Sequence, residues 1–150
     1  VHQGRPGNRE RKSAAVNAWP KNVGAITLFV EDPQRSKSFY ENVFGLGTIF
    51  EDENSVVFRF ENMLLNVLKS AAAHSLIEPA QVASRESGSR FQFTIWVDSV
   101  DAVYDELTGR GVEMLNGPLN RDWGQRTISF ADPDGHIWEF AQELPDPEES

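Results

Sequence analysis

The sequence predicts an α+β fold of two β-α-β-β-β modules forming a cup-shaped mixed sheet with helices on its outer face. Three observations lead there: a weak internal repeat, an apolar period that switches between two and 3.6 in the same order in each copy, and turn or cap residues between segments. Ala25-Ile26-Thr27-Leu28-Phe29-Val30 followed by Glu31-Asp32 recurs as Gln92-Phe93-Thr94-Ile95-Trp96-Val97 followed by Asp98-Ser99. Met63-Leu64-Leu65-Asn66 recurs as His136-Ile137-Trp138-Glu139.

Each element has a local reason. Ala25 to Val30 is a short β-rich run ending where Asp32 can cap a helix and Pro33 suits its first turn. That helix is expected to run to about Phe44, with Phe39, Tyr40, Val43 and Phe44 on one face and Gly45 as the left-handed stop. Strands are expected at Thr48–Glu51, Ser55–Phe60 and Met63–Lys69, the last two joined by the turn Glu61-Asn62. Residues 70–90, rich in Ala and Ser, read as a linker that forms a short helix or a lid.

The second module opens with Phe91–Val97. Ser99 caps a helix whose stripe is Val100, Val103, Tyr104 and Leu107, and Gly111 ends it. Strands are expected at Val112–Leu115, Gln125–Ala131 and His136–Gln142, with Asn116-Gly117-Pro118 and Asp132-Pro133-Asp134-Gly135 as turns. Alternation places Leu28 and Val30 under the first helix, leaving Ala25, Thr27 and Phe29 on the opposite face with Gln92, Thr94 and Trp96. Leu64, Asn66 and Leu68, with Ile137, Glu139 and Ala141, complete that face, which suggests a cup lined by two pseudosymmetric halves.

The domain plan is a disordered basic arm over 1–22, a first module over 23–69, the linker over 70–90, a second module over 91–143 and an acidic tail over 144–150. At 150 residues the chain can bury a sizeable core without metal or disulfide. It has no cysteine, so thiol catalysis by its own side chains is excluded. The formal charge of −9 is uneven: residues 1–22 hold five Arg or Lys and one Glu, so the remainder is strongly acidic, repels nucleic acid and favours a cationic ligand. No apolar run approaches a membrane span or a signal peptide, and a cytoplasmic protein without membrane or nucleic-acid partners is expected.

Leu28-Phe29-Val30-Glu31-Asp32, Ser36, Phe39-Tyr40 and Phe44-Gly45-Leu46 resemble the opening of the vicinal-oxygen-chelate superfamily, which includes glyoxalase I, bleomycin-resistance proteins and extradiol dioxygenases. Trp96 to Asp101 and the closing Phe130-Ala131-Asp132-Pro133-Asp134-Gly135-His136-Ile137-Trp138-Glu139 are similar to its second module. The resemblance implies homodimers in many relatives, with the cup formed within one chain or shared between two. It also implies that the four metal ligands of the metal-using relatives fall here on Ala25, Asn66, Gln92 and Glu139. Only Glu139 is a strong anionic ligand, Gln92 and Asn66 offer neutral carbonyl oxygens, and Ala25 offers none.

No metal or other cofactor is therefore expected. If a divalent metal binds, Gln92 and Glu139 hold it, with His74 of the linker as a further donor. Ligand contact is expected at Phe29, Asn66, Gln92, Trp96, Trp123 and Glu139. Glu139 is either bonded to Gln92 or Asn66 across the cup or a ligand anchor whose carboxyl is raised by Phe29 and Trp96, and it is the candidate catalytic base. Asp132, Asp134 and His136 read as turn structure, Trp138 as core, and Arg59 as a cation of ambiguous face. The expected function is metal-independent binding of a small, partly aromatic molecule, with a cationic group suited to Glu139. The alternative is a lyase, isomerase or dioxygenase of the same superfamily with a non-standard metal set.

Overall fold

The computed structural model describes residues 18–146, so most of the basic arm and the end of the acidic tail lie outside the described residues. The elements are β1 (Ala25–Val30), α1 (Pro33–Phe44), β2 (Thr48–Glu51), β3 (Ser55–Arg59), β4 (Leu64–Lys69), α2 (Ser70–Ile77), β5 (Gln92–Trp96), α3 (Val100–Gly109), β6 (Asn116–Asn120), β7 (Gln125–Ala131) and β8 (Ile137–Glu143). They form two four-stranded mixed sheets, β1-β4-β3-β2 and β5-β8-β7-β6, with β1 parallel to β4 and β5 parallel to β8. This is the α+β class read from the repeat.

The helix ends follow their cap residues. The Asp32 carboxylate accepts from the backbone N–H groups of Gln34 and Arg35, Pro33 sits in the first turn, and Gly45 turns left-handed at φ 67°. Ser99 accepts from the Ala102 N–H at the start of α3. The linker supplies the short helix expected of it: α2 follows β4 without a break and buries Ala73 completely.

One strand is displaced. The segment expected at Val112–Leu115 lies just before β6, and Asn116-Gly117-Pro118, expected as a turn, opens β6 instead. The register between β6 and β7 breaks between Asn116 and Leu119, so Gly117 and Pro118 form an irregularity in an edge strand, where a residue without an N–H is tolerated. A Cβ at Gly117 would collide with the Thr127 carbonyl oxygen and lie 2.9 Å from Ile128 Cα, so only glycine lets β6 approach β7 there.

The large buried side chains of the outer strand β1 alternate, while β3 and β7 are buried on both faces. Leu28, Val30, Leu65 and Val67 are buried on one side of the first sheet, and Ile128, Phe130, Trp138 and Phe140 on one side of the second. All belong to one core with Tyr40 and Val43 of α1 and Val100 and Leu107 of α3. Phe60, just beyond β3, stacks on Trp138 of β8 with ring centroids 5.6 Å apart, and Phe44 lies 4.8 Å from the same indole. Were the sheets side by side in one continuous cup, β3 and β8 would be several strands apart at about 4.8 Å per strand. The sheets instead pack helix side to helix side with α1 between them, and their other faces look outward.

Polar contacts fix that packing. The Tyr40 hydroxyl donates to Asp132 Oδ2 at 2.6 Å and accepts from Trp138 Nε1 at 3.0 Å. Asp132 Oδ1 accepts from the backbone N–H groups of Asp134 and His136, and His136 Nδ1 stands 2.8 Å from Asp132 Oδ2. Asp134 Oδ1 accepts from the Glu31 N–H at 2.9 Å and faces Arg35 at 3.7 Å. The Asp-Pro-Asp-Gly turn thus bonds its own backbone, as expected, and also clamps the first module to the second. Burial pushes the Asp132 carboxyl up, but His136, the Tyr40 hydroxyl and the backbone donors outweigh it and hold the group below the usual carboxylate range. Burial, then the Asp132 charge, push the Tyr40 phenol far up.

Replacing Tyr40 by Phe removes a charge-assisted bond and is expected to destabilise the fold by about 1.5–3 kcal/mol. Denaturant melts at neutral pH check it. Because the folded Asp132 carboxyl is depressed, its contribution is complete above the unfolded value of 3.8 and is lost as pH falls through the folded value. The gap between wild type and Tyr40→Phe should therefore narrow at strongly acidic pH, and a gap independent of pH would contradict the role assigned to Asp132.

Candidate functional site

The outward faces carry the residues singled out in the sequence. On the first sheet, β1 presents Ala25, Thr27 and Phe29, and the pairing Thr27↔Asn66↔Val57 carries the same face across β4 and β3. Asn66 Nδ2 donates to Thr27 Oγ1 at 3.4 Å, while Asn66 Oδ1 is buried without a hydrogen-bond partner. Arg59 lies opposite Leu64, which resolves its face: it shares the Asn66 side.

On the second sheet, Thr94, Glu139, Ser129 and Asn116 form one row across β5, β8, β7 and β6. Trp96, Ala141 and Thr127 form the next row. Glu139 Oε1 accepts from Thr94 Oγ1 at 2.9 Å. Ala141, Thr127 and Ser129 make a floor of small buried residues, and Trp96 stands at its edge 59% exposed. Two open recesses touch Trp96 away from this floor: one of about 490 Å³ is lined by Val97, Asp98, Gln142 and Glu143, and one of about 940 Å³ lies between Arg59–Asn62 of the first module and Ile95, Val103 and Leu107 of the second.

Trp123, in the β6–β7 turn, is 66% exposed and donates through Nε1 to Gln125 Oε1 at 3.2 Å. The guanidinium of Arg121 lies 5.9 Å from its ring centroid. Arg121 Nε donates to Thr127 Oγ1 at 2.9 Å and Nη2 to Asn116 Oδ1 at 2.7 Å.

The structure therefore brings Gln92, Trp96 and Glu139 onto one face, with Trp123 in the adjoining turn, and places Phe29 and Asn66 on the other sheet, facing away. A bond from Glu139 to Asn66 does not form within one chain, and Thr94 takes the place expected for Gln92. Sequence reasoning also passed over Arg121, Asn116, Thr127 and Ser129. Period-two counting back from Ala131 along β7 would have found the last two, and Arg121 is two residues from Trp123.

The donor set does not fit a divalent metal. Ala25 has no donor atom, Asn66 is on the opposite sheet, and within one chain only an amide and a carboxylate share a face. Among the described residues no three His, Cys, Asp or Glu side chains are grouped to hold a metal ion. His74 is exposed on α2, and His136 is engaged by Asp132, as its structural reading anticipated.

The model of the Glyoxalase/Bleomycin resistance protein/Dioxygenase superfamily matches residues 22–140. The chain belongs to this superfamily. It is 30% identical over 122 residues to the metallothiol transferase FosB of Lysinibacillus sphaericus, a match spanning 80% of this chain and 81% of that protein. Among solved structures, a glyoxalase/bleomycin resistance protein/dioxygenase from Nocardioides superposes with a TM-score of 0.77 at 22% identity, covering 93% of this chain and 95% of its own. A lactoylglutathione lyase from Agrobacterium tumefaciens gives 0.66 at 18% identity, covering 82% and 94%. These two likenesses speak to fold. Superfamily membership, with the FosB relative, makes a divalent metal a common cofactor of such proteins, and against that background the missing donor at Ala25 and the neutral amide at Gln92 stand out. No helix among the described residues is long and apolar enough to cross a membrane.

Adding Ni²⁺, Zn²⁺, Mn²⁺, Fe²⁺ or Mg²⁺ is expected to leave the melting temperature unchanged. A bound metal at 100 times its dissociation constant would add about 2.7 kcal/mol, several degrees for a domain of this size. A shift of that order, lost in Glu139→Ala, would restore the metal reading.

Proposed function

We propose that this protein is a metal-independent binding protein of the glyoxalase/bleomycin-resistance type that holds a small, partly aromatic molecule against Trp96, Trp123 and Glu139. The observation that carries the reading is a retained superfamily scaffold whose open face keeps exposed indoles around a carboxylate while Ala25 supplies no metal-binding side chain and Gln92 only a neutral amide oxygen. Exposed indoles, Trp96 and Trp123, give a flat molecule a stacking surface. The carboxylate of Glu139 and the acidic body suit a cationic substituent.

The same reading makes the protein a homodimer with exchanged modules. Its support is the outward direction of the two faces: Phe29 and Asn66 of one chain meet Glu139 only across a second copy. The unpartnered Asn66 Oδ1 is an acceptor that such a cup would supply with a donor.

A second reading rests on the FosB relative, named a metallothiol transferase: metal-dependent thiol transfer, with Glu139 as the one retained anionic ligand. It requires donors from outside the set described above.

Titrating tryptophan fluorescence with a library of aromatic and cationic compounds should give saturable quenching that Trp96→Phe reduces. Sedimentation should give a particle of twice the chain mass. Flat titrations throughout would count against the binding reading, and a monomer at micromolar concentration against the shared cup.

A further inference from the structure

Arg121 differs from the other arginines braced across the fold. Arg126, five residues on and pointing to the helix side of the same sheet, is neutralised by two bonds to Asp101 at 3.1 and 3.0 Å. Arg110 pairs with Glu106 and Arg35 with Asp134. Arg121 is held only by uncharged acceptors, the Thr127 hydroxyl and the Asn116 amide, so it is oriented without being neutralised. A guanidinium has five N–H donors, and these two bonds leave three of them unengaged. A fixed, planar, uncompensated fork is the arrangement that recognises a carboxylate.

Its place relative to Glu139 narrows the ligand. Glu139 pairs across β8 and β7 with Ser129, and Ser129 pairs across β7 and β6 with Asn116, the residue that holds the guanidinium. With about 4.8 Å per strand, the strands that carry Glu139 and Asn116 stand roughly 10 Å apart; the guanidinium reaches inward to Thr127 of β7, the Glu139 carboxylate leans to Thr94 of β5, and no ion pair joins the two among the described residues. A carboxylate and an ammonium on one carbon, each making a contact of about 2.8 Å, bridge such a gap. Trp96 and Trp123 stand exposed on the same side.

We infer that the second module's open face is a two-headed site for an aromatic zwitterion: Arg121 takes the carboxylate, Glu139 the ammonium, and the exposed indoles the ring. This rests on the binding function proposed above and adds an anionic group to the ligand that the acidic body alone would not suggest.

Calorimetric titration of the full chain with L-phenylalanine, 3-phenylpropanoate and 2-phenylethylamine tests it, since these probes carry both heads, the anion alone and the cation alone. Phenylalanine is expected to bind about tenfold or more tightly than either single-headed probe. Arg121→Gln should weaken phenylalanine and 3-phenylpropanoate by about tenfold and leave 2-phenylethylamine within about twofold, with Glu139→Gln doing the reverse. Arg121→Lys should restore part of the 3-phenylpropanoate affinity, which loss of a mere brace between β6 and β7 would not explain, and melting curves of all variants show that they fold. Phenylalanine binding indifferent to Arg121→Gln, or no binding of any of the three, overturns the inference. Binding of 2-phenylethylamine alone, dependent on Glu139, also overturns it while leaving the binding function intact.

Discussion

The contact on which the rest depends is the buried bond between the Tyr40 hydroxyl and the Asp132 carboxylate. It joins a helix of the first module to a turn of the second in the middle of an aromatic cluster formed by Phe44, Phe60, Phe130 and Trp138. Buried polar groups must be paired, so this bond admits one docking geometry where apolar packing alone would tolerate several. Trp138 Nε1 and the backbone donors of the Asp-Pro-Asp-Gly turn close the network around it.

That geometry decides what each sheet shows to the outside. Because α1 is wedged between the helix-side faces, the faces bearing Asn66 and Glu139 are turned away from each other, and the proposed cup is split between two faces of one chain. The half on the second sheet is the more elaborated. Its central strands carry Thr127, Ser129, Glu139 and Ala141, small or polar where a core would place Val or Leu, and its edge carries Trp96 and Arg121. The small side chains in the middle of the sheet are covered by the aromatic and charged ones around them, which form the exposed surface.

Much of this was legible beforehand. The two modules, the caps at Asp32 and Ser99, the left-handed Gly45 and the buried side of β1 all follow from local pattern, because periodicity and capping are short-range effects. The position of β6 was not legible: Asn116-Gly117-Pro118 has the composition of a turn, and only the close approach of β7 makes it an edge-strand irregularity. Nor was the Arg121 network, since Asn116, Thr127 and Arg121 meet only after the β6–β7 register is set.

The sequence by itself determined the fold class, the faces of the strands and a donor set reduced to one carboxylate, with none at Ala25 and a neutral amide at Gln92, because each is a property of residue type and spacing. The tertiary structure alone decided that Phe29 and Asn66 part company with Glu139 within a chain, and that Arg121 keeps its charge unneutralised beside it. Both depend on how two modules and two strands are docked, and docking is set by contacts such as Tyr40 to Asp132 between residues far apart in the chain.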